Sequence, residues 1–573
     1  MNAADWVVLL GTMIGIAAYG TWRTRHTDNL NTYLKGSRDT GWLTIGISVM
    51  MTQASTITYL SLPGQAYDNG IAFIQNYFGM PLALILIAAA FLPIYRKLGV
   101  YTAYEYLGKR FDTKTRLLGA SLFLLQRGLQ TGFTIYAPAI ILSTVLGWRL
   151  DLTIIFTGLV AIIYTVTGGS AAVNLTQKWQ MAVIFGGMVT AFIILVSKLP
   201  SDALSVAGSM EKLNAVDFEP NLKKPYTLWS GLFAGFFLQL SYFGTDQSQV
   251  QRYLGGAALR EGRLGLMFHA IFKIPMQFMI VILGAMLFVF YQVQPNTPVF
   301  FNQAEWSRLT AGPQAATFHA LEEKHTALQA DQQEKIRIWR TARAAGDMIG
   351  ESAAETAMQE AQKSIRAVRE EARKKLVEID PTAKVKDSDY VFITFIVTQL
   401  PHGLIGLLVA VMFASALSSK AGELNALGTT STIDLWRHFR PLAAQDEARN
   451  VRNAKWFTAF WGVFAIVFAL FISPQQNLIE ALNIVASVLY PALLGVFVVA
   501  FFLKWVKGSA VFWGAIAAQL LVIGLYVMIK NYPAYQFGYL WLNPIGCIAC
   551  GLFSVGLQAV LPTDSTPQNR PAT

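Results

Sequence analysis

Met50-Met51-Thr52-Gln53-Ala54-Ser55-Thr56-Ile57-Thr58, followed by Leu62-Pro63-Gly64, sets hydroxyls and an amide midway along an otherwise apolar stretch at 43–67. Polar side chains at membrane depth are costly, and a Pro-Gly pair interrupts the helical ladder. The stretch therefore predicts a membrane helix unwound near its centre, with free carbonyls facing a cavity. The composition supports the membrane setting. Of 573 residues, 54% are hydrophobic and 14% charged, and the mean hydropathy is +0.42, well outside the range of a soluble chain. A crossing needs roughly 20 apolar residues, and on that basis the chain carries about 13 candidate spans. They lie at 5–22, 43–67, 69–97, 117–147, 151–168, 178–198, 227–250, 264–292, 391–418, 453–472, 478–503, 510–530 and 538–561.

The net charge of +11 collects in alternate loops, which points to topology and not to a nucleic-acid partner. One set of loops holds Arg23, Arg25, Lys35 and Arg38, then Arg96, Lys97, Lys109, Arg110, Lys114 and Arg116. Later loops of the same set hold Arg252, Arg260, Arg263, Arg437, Arg440, Arg449 and Arg452, while loops near Asn69, Trp148 and Gln475 are poor in cations. The positive-inside rule then places the N-terminus outside and the C-terminus inside, in a bacterial cytoplasmic (inner) membrane. Trp6 to Trp22 lacks a basic leader and reads as a retained helix. Cys547 and Cys550 share an apolar segment and read as packing residues. Four regions follow: helices at 1–293, a charged Ala-rich insertion at 294–389, helices at 390–562 and a cytoplasmic tail at 563–573. In the insertion, Ile365, Val368, Ala372 and Leu376 recur at helical spacing, and Gly346 and Gly350 mark a break between two arms. A helical hairpin on the extracytoplasmic side is expected, either as a solvated cap or as a surface for a protein partner.

Ser415-Ala416-Leu417-Ser418-Ser419-Lys420 forms a second polar cluster, at the inner end of the ninth span. Sodium is a hard cation served by carbonyl and hydroxyl oxygens, which Ser418 and Ser419 offer. Serines in membrane helices also bond within their own helix or pack, so the cluster alone leaves ion binding open.

Taken in order, these clusters resemble the sodium:solute symporter family. Its most specific trace is Gly244-Thr245-Asp246-Gln247-Ser248-Gln249-Val250-Gln251-Arg252-Tyr253-Leu254. Thr167-Gly168-Gly169-Ser170-Ala171-Ala172-Val173 with Thr176 and Gln180, Phe91-Leu92-Pro93-Ile94-Tyr95, and Leu417-Ser418-Ser419 with Asn425 and Asp434 add to it. The resemblance implies an all-α polytopic fold with a LeuT-type core of two inverted five-helix repeats. It implies a sodium site made by the carbonyls of Met51, Ala54 and Ser415 with the hydroxyls of Ser418 and Ser419. It also implies a substrate site at Gln53, Ser55 and Thr58, Tyr77 and Met80, Gln239 and Tyr242, and Lys273.

Two departures shape the expected substrate. Tyr77 stands where sugar-carrying relatives have an acid, which counts against a plain glucose or galactose carrier. The family's TDxxQ becomes Thr176-Gln177-Lys178-Trp179-Gln180, so an acid used for ion handling is replaced by Gln177 and one sodium per cycle is expected. Arg127 and Lys273 are cations placed inside spans with few acids at similar depth, and an anionic solute would balance them. Snorkelling or bonding to carbonyls at helix breaks is the competing account. Thr131-Gly132-Phe133-Thr134-Ile135-Tyr136-Ala137-Pro138-Ala139 is similar to the monocarboxylate, vitamin and iodide branch. The expected function is sodium-coupled import of a carboxylate, sugar acid or sugar by alternating access, by a monomer in the bilayer. A receptor or a sodium-independent facilitator of the same fold is the alternative, although the short tail leaves little room for an output domain. A proton-coupled carrier is disfavoured, because the ion site offers no titratable side chain. No phosphate loop, HExxH or GxSxG motif argues for an enzyme.

Overall fold

The computed structural model describes residues 1–23, 41–294, 297–312, 314–381, 383, 385–440, 446–472 and 476–561. The tail at 563–573 and the loop cations Arg25, Lys35 and Arg38 lie outside the described residues, as do the side chains of Arg23 and of 167–176. The helices run in the order α1 (Ala3–Arg23), α2 (Trp42–Gln53), α3 (Thr56–Asn69), α4 (Ile71–Leu98), α5 (Ala103–Arg110), α6 (Thr113–Leu146) and α7 (Leu150–Ser197). They continue with α8 (Ala203–Ser209), α9 (Gly235–Thr245), α10 (Gln247–Leu254), α11 (Leu259–Val293), α12 (Gln303–Thr310), α13 (Ala315–Ala345) and α14 (Met348–Ile379). The chain closes with α15 (Val391–Gln399), α16 (Leu404–Thr430), α17 (Glu447–Phe471), α18 (Leu478–Phe502), α19 (Gly508–Asn531) and α20 (Leu542–Val560). Among the described residues nine helical stretches are long and apolar enough to cross a membrane, and Ala3–Gly15 and Leu150–Val166 are shorter apolar helices.

The stretch at 43–67 is broken where its polar residues predict. Ala54 leaves the helical region at φ −80°, ψ 59°, and Ser55 is extended. Local hydroxyls stabilise the break: Thr58 Oγ1 donates to Gln53 O (3.3 Å) and Thr56 Oγ1 to Met412 O on α16 (2.7 Å). Short polar side chains that bond to nearby backbone offer an alternative to the helical ladder. A second break separates α9 from α10 at Asp246, which caps α10 by accepting from Ser248 N (2.8 Å). On the packing side, α3 and α11 approach so closely that a Cβ on Gly284 would collide with Pro63 O.

Two expected boundaries are corrected. The spans at 151–168 and 178–198 form one unbroken helix, α7, of 48 residues, about 72 Å of helical rise against a hydrocarbon core of about 30 Å. Both of its apolar arms pack on α16, Ala161 with Leu417 and Gly187 with Leu408. A straight helix would hold positions 161 and 187 about 39 Å apart, against about 14 Å between 408 and 417. The span expected at 391–418 is divided at Leu400-Pro401-His402-Gly403, because Pro401 disfavours helix at the preceding residue and Gly403 takes φ +86°. Ser415, Ser418 and Ser419 therefore lie in the middle of α16, not at the end of a span.

The insertion contains the two expected arms, α13 and α14, and Gly346 ends the first in the left-handed conformation at φ +70°. Ile365, Val368, Ala372 and Leu376 form the buried stripe of α14. The hairpin is tied to the helical body by Gln329 Nε2 to Tyr291 O (3.2 Å), Arg340 Nε to Asp202 (2.6 Å) and Gln359 Nε2 to Ser209 O (3.0 Å). Burial pushes the Asp387 carboxyl up, but Arg369 (2.9 Å) and Arg373 (2.6 Å) outweigh it and hold the group down to about 2. Burial, with Arg369 nearby, holds the His325 imidazole down to about 4.

Candidate functional site

At the α2–α3 break the last carbonyls of α2 lack helical partners and carry the negative end of the helix dipole, which suits a cation. The middle of α16 faces them. Ser419 Oγ donates to Ser415 O (3.0 Å) and, more weakly, to Met51 O (3.4 Å), so three of the expected sodium ligands meet in one place. Ser418 Oγ is buried without a hydrogen-bond partner among the described residues, and Ala54 occupies the turn itself. An orphaned hydroxyl beside helix-end carbonyls is a fit for a hard monovalent cation.

A cavity opens beside the break. Gln53, Ser55, Thr58, Tyr77, Arg127, Gln239 and Tyr242 all line it. Gln53 Nε2 donates to Gln239 Oε1 (3.3 Å), joining the two broken helices across the site. Tyr242 OH accepts from Gln249 Nε2 (2.6 Å), and the Arg127 guanidinium lies 5.3 Å from the Tyr242 ring.

Arg127 is not the unbalanced cation that the sequence led us to expect. It pairs with Asp246, with Nε 3.0 Å from Oδ2, and its Nη1 lies 3.6 Å from Glu423. Tyr490 OH accepts from Arg127 (2.9 Å) and donates to Asp246 (2.6 Å). Thr134 Oγ1 donates to Glu423 (2.9 Å), and Lys420 Nζ donates to Thr134 O. The acids that neutralise Arg127 come from the turn before α10 and from α16, far from it in sequence.

Lys273 stands apart from the cavity wall. It is 0% exposed, its Nζ has no hydrogen-bond partner among the described residues, and it lies 6.0 Å from the ring centroid of Tyr77. Met80 is likewise buried without lining the cavity. Gln177 is buried and accepts from Ser48 Oγ (2.9 Å). The cavity also includes Thr52, Gln130, Thr134, Glu423, Asn483 and Tyr490, which the sequence reading missed. Glu423 was within reach: it follows Ser419 by four residues, so the two share a helix face.

The model of the sodium:solute symporter family matches residues 33–304 and 375–518. The human sodium/iodide cotransporter is 31% identical over 284 residues, 49% of this chain and 43% of that protein. The chain thus spans less than half the length of this relative. The sodium/sialic acid symporter SiaT of Proteus mirabilis (strain HI4320) is 24% identical over 583 residues, 99% of this chain and 98% of that protein. A solved structure of a Na+-coupled sialic acid symporter, in a substrate-bound outward-open state, superposes with a TM-score of 0.71 at 20% identity, covering 98% of each chain. That likeness establishes the LeuT-type fold. With two broken helices and a family match over most of its length, the chain belongs to the sodium:solute symporter family, whose co-transported ion is sodium.

Proposed function

We propose that the chain imports a small organic anion, a carboxylate or sugar acid, together with one sodium ion by alternating access. Sodium is held by the carbonyls of Met51, Ala54 and Ser415 and the hydroxyls of Ser418 and Ser419, tying the α2–α3 break to α16. The solute sits in the adjoining cavity against Gln53, Ser55, Thr58, Tyr77, Gln239 and Tyr242, with Arg127 held behind it by Asp246. The observation that carries the anionic reading is Lys273, a fully buried cation without a hydrogen-bond partner among the described residues, next to the cavity residue Tyr77. An unbalanced charge in a low-dielectric setting favours a ligand of opposite sign. The names of the relatives agree, since iodide and sialic acid are both anions. The protein works as a monomer in a bacterial cytoplasmic membrane, N-terminus outside and C-terminus inside.

Uptake of labelled monocarboxylates, sugar acids, sugars and amino acids into proteoliposomes, with and without an inward sodium gradient, tests this reading. Sodium-driven accumulation of a carboxylate is expected. Accumulation of a neutral sugar alone would overturn the substrate class, and uptake indifferent to sodium would overturn the coupling.

A further inference from the structure

A second cavity lies between α14 and the C-terminal end of α3. Its wall carries Lys363, Arg366, Arg369 and Arg373 against Asp68 and Glu370. Lys212, Lys386 and Asp387 touch that wall directly. Leaving aside Lys212, whose ammonium is pushed down to about 7 by burial and by Arg366, five cations face three carboxylates, an excess of two positive charges. Asp387 is taken by Arg369 and Arg373, Asp68 by Lys386 and Glu370 by Arg373. Lys212 and Arg366 donate to the carbonyls of Tyr67 and Asp68, where they cap α3. Lys363 forms no ion pair among the described residues. Arg369 is 9% exposed and rests over the Tyr67 and Phe301 rings, and Arg373 Nε is buried without a partner among the described residues.

This cavity shares a helix with the central one. Thr58 in the central cavity and Asp68 in the second are ten residues apart on α3, about 15 Å. The four cations on α14 fall between the two segments that match the family model, so they belong to an element added to the common fold.

We infer that the insertion builds a second anion-binding site, a vestibule that concentrates the negatively charged solute at the outer end of α3. Its role in uptake rests on the anionic reading of the solute, whereas its capacity to bind anions does not. A cleft lined by one sign of charge raises the local concentration of the opposite ion and speeds encounter, in a salt-dependent way.

The test is calorimetric titration of the full chain in nanodiscs with potassium sulfate, in sodium-free buffer of low ionic strength. Saturable binding is expected, weakened about tenfold by Lys363→Glu, less by Lys363→Gln, and lost in about 0.5 M potassium chloride. Lys273→Ala should leave it unchanged. No binding by the wild type, or equal binding by Lys363→Glu in a folded sample, overturns the vestibule. Loss in Lys273→Ala with retention in Lys363→Glu would assign sulfate to the central cavity and sink this inference alone. A neutral solute in the uptake assay would defeat the anionic reading while leaving sulfate binding intact.

Discussion

Ser418 and Ser419 carry the sodium claim at the level of single side chains. Ser418→Ala and Ser419→Ala should each raise the sodium concentration for half-maximal uptake about tenfold or more, a loss of about 1.4 kcal/mol, with membrane insertion unchanged. Unaltered sodium dependence in both variants would remove them from the site. Lys273→Ala should weaken solute binding more than sodium binding, and equal loss of both would make it a structural residue. Arg127 answers to different physics, because its charge is already balanced by Asp246 and Glu423. Removing one partner of a buried pair leaves the other uncompensated, at a cost of about 3–5 kcal/mol. Asp246→Asn should therefore lower thermal stability, and Arg127→Met combined with it should restore part of the loss. If the double variant is no better than the single one, the pair is not the source of the cost. Arg127 also shows where reading the sequence stops. Its position inside a span was legible, but its partners Asp246 and Glu423 lie on other elements, and no local pattern announces a contact over such separations.

At the scale of elements, the break in the second span was legible because its cause is local: polar side chains at 52–58 disturb the helix in which they stand, whereas Pro63-Gly64 lies inside the continuous α3. The hairpin was legible for the same reason, from an apolar stripe and the glycines at 346 and 350. The division of the ninth span at Pro401 and Gly403 was masked by apolar residues on either side, and the Gly168-Gly169 pair between the two arms of α7 was read as part of the family trace and not as a change of direction. The hairpin makes a pH prediction. His325 has a folded value of about 4, below the ordinary value of 6.5, so the unfolded chain binds more protons between the two. Stability is complete above pH 6.5 and falls as the pH drops from about 6.5 to about 4. Protection factors of the α13 and α14 amides, corrected for the pH dependence of intrinsic exchange, should fall over that window, and His325→Gln should flatten the change. Asp387 acts in the same direction at lower pH: its contribution is present above the ordinary carboxylate value and is lost as the pH falls from there toward about 2. A hairpin whose corrected protection factors are indifferent to pH between 4 and 6.5 would show that His325 is not buried as described.

For the whole molecule, coupling sets the energy available. A tenfold sodium gradient is worth about 1.4 kcal/mol, and a potential of about 100 mV adds roughly 2.3 kcal/mol per charge moved. A neutral solute carried with one sodium would gain both, about 4 kcal/mol, or accumulation of several hundredfold. A monoanion carried with one sodium moves no net charge and reaches only about tenfold, so its accumulation should not respond to an imposed potential. The central claim beneath these numbers is that sodium binds between the α2–α3 break and α16. The most direct measurement is equilibrium binding of radioactive sodium to the purified chain, wild type beside Ser418→Ala and Ser419→Ala. The account predicts saturable binding near one ion per chain in the wild type, weakened about tenfold or more in each variant. Saturable binding of the same strength in all three proteins, or none in the wild type, would contradict it.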